Sequence, residues 1–246
     1  MQADKWTNPS DILELQSSHV DIWRVSLDLY PASAQWAEST LSADESERAD
    51  RFHFEKDRHR YILAHACLRD ILSRYLHCKT GQIKFSTNGY GKPMLPSDTK
   101  MEFNLSHSGK FVLIAVTCGH KVGVDVEHIR MDMDHEKIAR RFFSQAEYNE
   151  LSVIPHEKKA IAFFNCWTRK EAYIKAHGLG MSLPLNSFDV SFASNEPAVL
   201  RATRPDSSEA SKWTLLSLNV HPEHAGALAI DGRKMKFRYW DWMMKQ

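Results

Sequence analysis

Residues 165–175 read Asn165-Cys166-Trp167-Thr168-Arg169-Lys170-Glu171-Ala172-Tyr173-Ile174-Lys175. Residues three or four apart lie on the same side of a helix, so Thr168, Glu171 and Lys175 form one line in this stretch. The line ends at an acid and a base, and Gly178 follows, a residue type that commonly stands just past the C-terminus of a helix. The stretch therefore predicts the end of a long helix, over about residues 156–177, with Glu171 and Lys175 on one polar face.

The spacing of Glu171 and Lys175 also fits an ordinary surface ion pair. A Glu four residues before a Lys stabilises a helix by about 0.3–0.5 kcal/mol, so this alternative stays open when the stretch is considered alone. A second acidic stretch upstream favours a functional site.

That second stretch reads Gly123-Val124-Asp125-Val126-Glu127 and is predicted to be a strand. Residues two apart share a face of a strand, so Asp125 and Glu127 point one way while the valines point into the core. Two neighbouring carboxylates repel each other unless a positive group lies between them. Mg²⁺ prefers one or two carboxylates together with phosphate oxygens and water. Asp125, Glu127 and Glu171 therefore predict an open magnesium site, with an ordinary solvent-facing strand as the alternative.

Two further stretches carry candidates for phosphate binding. Asn104-Leu105-Ser106-His107-Ser108-Gly109 is predicted to place hydroxyl and imidazole donors on a turn between two strands. Gly91-Lys92-Pro93 presents a lysine from a rigid turn. Turns are rich in such residues, so each candidate is also compatible with an ordinary loop.

The composition limits the class of protein. The 246 residues are 43% hydrophobic and 26% charged, with 32 basic and 31 acidic residues and a net charge of +1. This balance gives no support for general attraction to nucleic acid or to an anionic membrane. The first residues are polar, and the longest apolar run, 111–116, is far shorter than the roughly 18 residues that span a bilayer. We therefore expect a soluble protein of the cytoplasm.

The cysteines predict neither a disulfide framework nor a zinc site. They are Cys67, Cys78, Cys118 and Cys166, far apart and without a Cys-x-x-Cys pair. Reduced thiols are the ordinary state of cytosolic cysteines.

The remaining patterns alternate between helices and strands. The stretch 20–29 alternates apolar and polar residues, which predicts a half-buried strand. Ser42 with Glu45, and Ser144 with Glu147, match capping boxes at the starts of helices. Helices are predicted after residue 41 and over 57–75, 134–143, 144–151 and 156–177. Strands are predicted near 83–85, 102–105, 111–117, 122–127, 188–192, 198–200, 213–220 and 225–230. These elements predict an α+β fold of two compact halves joined near residues 119–121.

Taken together and in this order, the motifs resemble those of the 4′-phosphopantetheinyl transferases, specifically the surfactin-synthetase-type, two-half monomeric branch. The resemblance covers roughly residues 41–190. Its matching stretches are 85–93, Phe103-Asn104-Leu105-Ser106-His107-Ser108-Gly109, Gly123-Val124-Asp125-Val126-Glu127, Arg141-Phe142-Phe143-Ser144-Gln145-Ala146-Glu147-Tyr148, 167–175 and 178–185.

The resemblance implies an enzyme that transfers the 4′-phosphopantetheine arm of coenzyme A to a serine of an apo acyl or peptidyl carrier protein. The released product would be 3′,5′-ADP, and the carriers would serve fatty acid, polyketide or nonribosomal peptide biosynthesis. It also implies a cytoplasmic monomer without nucleic-acid or membrane partners. Its two similar halves, residues 1–119 and 120–246, would form a pseudo-two-fold arrangement with the active site in the cleft between them.

Carried over by motif, Asp125, Glu127 and Glu171 are implied to bind Mg²⁺, with Mn²⁺ as a substitute. Glu171 is also implied to be the general base for the carrier serine, and whether it acts as base, metal ligand or both stays open. Lys175 is implied to contact the pyrophosphate beside the reacting centre.

The implied contacts to the coenzyme A phosphates are Lys92, Ser106 and His107. The helix after residue 41 departs from the family pattern, because Glu45 stands where the family often has a lysine. We therefore assign the 3′-phosphate to Arg48 and Arg51. Tyr61 also replaces a smaller residue near the adenine side.

Residues 130–142 mix flexible apolar and basic side chains and predict a surface for an acidic carrier protein. The apolar members are Met131, Met133, Ile138 and Phe142, and the basic ones are Arg130, Arg140 and Arg141. Ile138 and Phe142, four residues apart, are equally compatible with a place in the core.

Two other functions are compatible with parts of this sequence. One is a module that binds coenzyme A or a carrier protein without turnover, although such a module needs neither a base nor three acids. The other is a metal-dependent nuclease, which the near-zero net charge and the lack of a basic stretch disfavour.

Overall fold

A computed structural model describes residues 5–9, 13–29, 34–193 and 196–244 of the protein. Within these ranges the helices are α1 (Ala34–Thr40), α2 (Ala43–Ala49), α3 (Glu55–Leu76), α4 (His135–Phe142), α5 (Gln145–Ser152) and α6 (His156–His177). The strands are β1 (His19–Ser26), β2 (Ser86–Thr87), β3 (Pro93–Met94), β4 (Met101–Ser108), β5 (Phe111–Cys118), β6 (Val122–His128), β7 (Phe188–Val190), β8 (Leu200–Thr203), β9 (Thr214–Ser217), β10 (His224–Ile230) and β11 (Lys236–Asp241).

The longer strands form two sheets that pack face to face. The first has the order β11-β1-β5-β4 and the second the order β6-β10-β9. Strand β11 runs parallel to β1, and the other neighbours in both sheets are antiparallel. One buried cluster joins the two sheets, with Val20 and Leu113 from the first and Val124 and Leu228 from the second.

A 22-residue helix covers the outer face of each sheet. Helix α3 packs with Trp23, Val112 and other apolar residues of the first sheet in one core cluster. Helix α6 packs with Ala225 and other residues of the second sheet in another. The layers therefore run helix, sheet, sheet, helix, which confirms a mixed α+β fold.

Strand β1 is not half-buried, as its alternating sequence predicted, but buried on both faces. The reason is that helix α3 covers one face of its sheet and the second sheet covers the other. Asp21 is therefore fully buried, and it accepts hydrogen bonds from the Tyr75 hydroxyl at 2.5 Å and from Arg238 at 2.5 and 2.8 Å.

The helices are close to their predicted positions. Helix α6 has the predicted ends, and both capping boxes form, at Ser42 with Glu45 and at Ser144 with Glu147. Three elements were not predicted from the sequence, α1, β3 and β11, and the strand expected at 83–85 lies instead at Ser86–Thr87. Residue 195, in a predicted loop, lies outside the described residues.

Strand β11 is at variance with the predicted division of the chain. Residues 120–246 were assigned to the second half, yet Lys236–Asp241 pairs along β1 in the first sheet. The short local pattern of β11 cannot reveal this, because its partner strand lies near the other end of the sequence.

The predicted turn at Ser106-His107-Ser108 is also wrong, since these residues complete strand β4. Their backbone continues to pair with β5 as far as Ser108 opposite Phe111, and the turn follows at Gly109, whose φ is +59°. All four cysteines are free. Among the described helices, none combines the length and the hydrophobicity needed to span a bilayer.

Candidate active site

The site is built where helix α6 lies directly against strand β6. A Cβ atom on Gly123 would come within 2.1 Å of the Ala172 carbonyl oxygen and 2.3 Å of the Ala176 nitrogen. Only glycine permits the helix backbone to lie this close to the strand. The contact brings the polar end of α6, with Glu171 and Lys175, beside the carboxylates of β6.

Asp125 is the buried centre of the site, with only 2% of its surface exposed. Its Oδ1 atom accepts a hydrogen bond from Lys175 Nζ at 2.6 Å and another from Ser106 Oγ at 2.8 Å. Its Oδ2 atom is buried and has no hydrogen-bond partner among the residues that the structure describes. Lys175 therefore pairs with Asp125, and the surface pair with Glu171 that the spacing alone allowed is not what forms.

Glu171 and Glu127, the other two predicted acids, lie close enough to Asp125 for its charge to shift their pKa values. Burial raises the pKa of Glu171, and the negative charge of Asp125 raises it further, while Lys175 opposes the change. Burial likewise raises the pKa of Glu127, followed by Asp125, and a hydrogen bond from Ser108 works in the other direction. Three carboxylates thus share one partly desolvated region, which favours a positive group among them.

The donor set fits a hard cation such as Mg²⁺, since it offers carboxylate oxygens and one buried oxygen without a partner. The side chains are not gathered into a metal cluster as they stand. Among the described residues, no group of three or more His, Cys, Asp or Glu side chains is arranged to hold a metal ion. In this arrangement the positive charge that balances the Asp125 carboxylate is the Lys175 ammonium group.

Two adjoining cavities open beside these acids. The first, of about 350 Å³, is lined by residues that include Arg48, Tyr61, Ser106, His107 and Lys175. The second, of about 300 Å³, includes Lys92, Glu171 and again Lys175. The structure thus brings most of the predicted site residues together, while Arg51 is exposed and lines neither cavity.

His107 and Tyr61 give the first cavity an aromatic wall. The His107 side chain opens into the cavity, where the surrounding protein lowers its pKa and the neighbouring His65 and Lys175 lower it further. The Tyr61 ring lies 4.0 Å from the His65 ring, and the Arg48 guanidinium lies 5.9 Å from its centroid. A cation beside aromatic rings suits a planar, negatively charged ligand.

Lys92 is held by the protein itself. Its Nζ atom donates to the Val122 carbonyl at 3.1 Å and the Ala176 carbonyl at 3.3 Å, and burial lowers its pKa. It therefore joins strand β6 to helix α6 from the turn between β2 and β3. Contact with a phosphate would require the ammonium group to leave these carbonyls.

Glu45 is also engaged inside the protein and does not face a phosphate. It caps helix α2 through Ser42 and accepts hydrogen bonds from Arg69 Nε at 2.6 Å and His65 at 3.2 Å. Burial alone would raise its pKa, but these hydrogen bonds outweigh burial and bring the pKa to about 2. Its departure from the family pattern thus has a structural reason.

Two residues of the site were not singled out by the sequence. Asn104 Oδ1 accepts the Val124 N–H at 2.8 Å, and Ser108 Oγ donates to Glu127 Oε2 at 2.9 Å. Their signal was present as polar side chains at every second position of Asn104-Leu105-Ser106-His107-Ser108. It was obscured because the stretch was interpreted as a turn.

Comparisons of the sequence with known proteins point to one family. The family model for the 4′-phosphopantetheinyl transferase superfamily matches residues 121–229, and a model for the N-terminal part of 4′-phosphopantetheinyl transferases matches residues 29–119. The chain is 36% identical over 243 residues to the 4′-phosphopantetheinyl transferase HetI of Nostoc sp., covering 98% of this chain and 99% of that protein. The chain belongs to the 4′-phosphopantetheinyl transferase family.

A second relative supports the same membership. The 4′-phosphopantetheinyl transferase Sfp of Bacillus subtilis is 37% identical over 153 residues, which is 62% of this chain and 66% of that protein. The resemblance in the sequence motifs is therefore confirmed. This chain is an enzyme of the phosphopantetheinyl transferase type, and the carboxylates beside Lys175 lie in the part matched by the superfamily model.

Proposed function

We propose that this phosphopantetheinyl transferase moves the 4′-phosphopantetheine arm of coenzyme A onto a serine of an apo acyl or peptidyl carrier protein, with Mg²⁺, and releases 3′,5′-ADP. The observation that carries the proposal is the Asp125 carboxylate: among the described residues its buried Oδ2 has no partner, while its Oδ1 pairs with Lys175, which lines both cavities. An acidic centre beside basic cavity walls suits a metal-bound diphosphate.

Asp125, Glu127 and Glu171 would hold the cation, with Mn²⁺ as an alternative metal. When bound, it would neutralise charge on the diphosphate oxygens, the main requirement of phosphoryl transfer. Lys175 would serve the same end from the helix, because its ammonium group already reaches Asp125 and Ser106. A cation close to the departing phosphate stabilises the negative charge that the phosphate gains.

Glu171 is the proposed general base for the carrier serine. A serine hydroxyl attacks a phosphate well only if a base removes its proton as the new bond forms. The pKa of Glu171, raised by burial and by Asp125, makes it a better proton acceptor than an exposed carboxylate. If Glu171 also binds the metal, its carboxylate would keep part of its ability to accept the serine proton.

Ser106, His107 and Arg48 are the proposed phosphate contacts in the first cavity, which all three line. Arg51, exposed on the turn after α2, is proposed for the 3′-phosphate together with Arg48. Lys92 is proposed to bind a coenzyme A phosphate from the second cavity. Its ammonium group would first have to leave the Val122 and Ala176 carbonyls.

The proposed carrier surface surrounds a third cavity, of about 300 Å³, beside Glu127. Its lining includes Arg130, Met133, Ile138 and Phe142. The Ile138 and Phe142 side chains are half-buried and pack against the core cluster of helix α6. They therefore contribute to this core as well as to the wall of the cavity. Met131, from the same predicted surface, is 64% exposed.

The paired basic residues at the end of α4 test this surface. Arg140 and Arg141 are exposed, and Arg140 also donates to the Tyr148 hydroxyl at 2.7 Å. An Arg140→Glu, Arg141→Glu variant should have a raised KM for an acidic carrier and an unchanged KM for coenzyme A. An unchanged KM for the carrier would remove this surface from the proposal.

We further propose that the enzyme acts as a cytoplasmic monomer whose two halves are related by an approximate two-fold arrangement around the active-site cleft. Support comes from the two 22-residue helices, α3 and α6, each of which covers one antiparallel sheet region. The first cavity lies on residues of both halves, since it includes Ser106 and Lys175.

The deciding experiment is incubation of the protein with coenzyme A, Mg²⁺ and a panel of apo carrier proteins, followed by mass spectrometry. A mass gain of one phosphopantetheine arm on a carrier, with formation of 3′,5′-ADP, is expected. Binding of coenzyme A without a mass gain on any carrier would indicate a non-catalytic binding module instead. Omission of Mg²⁺ should abolish the gain, and addition of Mn²⁺ should restore it.

A further inference from the structure

Hydrogen bonds between side chains of β4 and the backbone of β6 join these two strands. Three residues of β4, each two positions apart, accept backbone N–H groups of β6. Asn104 Oδ1 takes the N–H of Val124 at 2.8 Å, Ser106 Oγ that of Val126 at 3.4 Å, and Ser108 Oγ that of His128 at 3.0 Å. This row fixes β6 relative to the first sheet.

The two serines of the row also hold the carboxylates of β6. Ser106 donates its hydroxyl proton to Asp125 Oδ1 at 2.8 Å, and Ser108 donates to Glu127 Oε2 at 2.9 Å. Each serine thus binds a backbone N–H and the side chain of the residue just before it. The row therefore sets the direction of both carboxylates and not only the position of the strand.

Ser108 differs from Ser106 in one respect that bears on its role. Ser106 lines the first cavity and also receives the Lys175 ammonium group, so it can contact a substrate. Ser108 lines neither cavity beside the acids. The hydrogen bonds of its hydroxyl group are to Glu127 and to the His128 N–H, so this hydroxyl can act on the proposed site through Glu127.

The hydrogen bonds leave the Ser108 hydroxyl one orientation. A hydroxyl group has one proton and two lone pairs, and the His128 N–H takes a lone pair. The proton is then directed to Glu127 Oε2, which fixes one oxygen of that carboxylate. A hydrogen bond to a charged acceptor is about twice as strong as one between neutral groups.

We propose that Ser108 is a positioning residue, which holds Glu127 in the orientation in which its carboxylate binds the divalent cation. This inference rests on the proposed function, since it assigns Glu127 to the cation. Groups that orient a metal ligand typically contribute about 10–100-fold to metal affinity or activity.

The test measures cation binding without turnover. Mg²⁺ is titrated calorimetrically into the protein saturated with coenzyme A, without carrier. Ser108→Ala should weaken Mg²⁺ binding by about tenfold. Ser108→Thr keeps the hydroxyl in a strand that favours β-branched residues, and should bind Mg²⁺ like the wild type. Ser108→Cys keeps the side-chain volume but offers a weak donor, so it should also bind Mg²⁺ more weakly.

A matched control separates orientation from stability. Thr117 is fully buried on β5, and its hydroxyl donates to the His19 carbonyl at 3.0 Å, away from the acids. Thr117→Val should lower the melting temperature and leave Mg²⁺ affinity unchanged. In transfer assays, Ser108→Ala should raise the Mg²⁺ concentration for half-maximal rate while the KM for coenzyme A at saturating Mg²⁺ stays the same.

Wild-type Mg²⁺ affinity in Ser108→Cys, or in a folded Ser108→Ala variant, would overturn the positioning role and leave the proposed function standing. Wild-type protein that neither binds Mg²⁺ with coenzyme A nor modifies any carrier would overturn the proposed function itself. The two failures are therefore distinguishable in the same set of measurements.

Discussion

At the residue scale, the site depends on a few side chains whose partners lie far away in sequence. Asp125 pairs with Lys175 of another element, and Glu45 pairs with Arg69 of another helix. The sequence predicted the acids, because they stand in recognisable motifs. It could not predict the pairs, because an ion pair between distant segments leaves no local pattern.

Asp125→Asn is expected to abolish most of the transfer activity. The amide removes the negative charge at the centre of the three acids and weakens both the proposed cation site and the hold on Lys175. Because residues that merely orient ligands contribute about 10–100-fold, loss of a direct ligand should lower kcat by at least about 100-fold. The rate of carrier modification measures this.

Asp98→Asn is the matched control, since Asp98 is exposed and lies outside the site. It should retain the wild-type rate. Near-normal turnover in Asp125→Asn would remove Asp125 from the catalytic machinery.

Glu45 should make the protein sensitive to acid. Its pKa is about 2 in the folded protein, against an ordinary value of 4.5. A depressed carboxylate pKa stabilises the fold above pH 4.5, and this contribution is lost as pH falls towards 2. The full contribution is about 3 kcal/mol, because one pKa unit corresponds to about 1.4 kcal/mol.

Urea unfolding of the wild type and Glu45→Gln at pH 6 and pH 3 measures the contribution of Glu45. The difference in unfolding free energy between the two proteins should shrink by about 2 kcal/mol at the lower pH. A difference that stays constant over this range would show that the Glu45 carboxylate is not held in its charged form.

At the scale of elements, helix α6 and strand β6 act as one unit. The sequence predicted α6 with both of its ends, since side chains repeating every three or four residues with a glycine just past the C-terminus are a strong local signal. The close approach at Gly123 was not predicted in this form. A glycine between valines shows that space is needed, but not which backbone fills it.

Gly123→Ala should separate the helix from the strand. The added methyl would meet backbone atoms of Ala172 and Ala176, which cannot rotate away. Overpacking of this kind costs about 1–3 kcal/mol or more, and each kcal/mol lowers the melting temperature of a chain of this size by about 2–4 °C. Activity should fall as well, because Lys175 would move away from Asp125.

Gly89→Ala is the control for the glycine substitution, as an added Cβ there has no neighbour within 4 Å. It should leave the melting temperature close to that of the wild type. Equal melting temperatures for both variants would contradict the close packing at Gly123.

At the scale of the whole molecule, the turn between β2 and β3 joins the two halves. Asn88 Nδ2 donates to the Gly178 carbonyl at 2.7 Å at the end of α6, and Lys92 reaches the neighbouring Ala176 carbonyl. The sequence predicted this turn and a phosphate-binding lysine. It did not show that the turn contacts the end of helix α6, since that contact depends on how the halves pack.

Asn88→Ala should weaken the contact between the β2–β3 turn and the end of helix α6. It removes the bond to Gly178 and the hydrogen bonds that the side chain accepts from the Tyr90 and Lys92 amides. The expected loss is about 1–2 kcal/mol in the free energy of unfolding. Amide exchange at the C-terminal end of α6 should become faster.

The exposed Asn149 on α5 offers a comparison, because within the described part of the chain its side chain bonds only to Gln145 of the same helix. Asn149→Ala should change neither measurement. Unaltered exchange near Gly178 in Asn88→Ala would show that the turn does not restrain the helix.

The position of β11 bears on how the chain folds as it is made. Strand β1 leaves the ribosome well before its parallel neighbour, Lys236–Asp241, which is synthesised after both long helices, α3 and α6. Until then one edge of the first sheet has open backbone groups, which can pair with other nascent chains. A chaperone that shields this edge during translation should therefore raise the yield of folded enzyme.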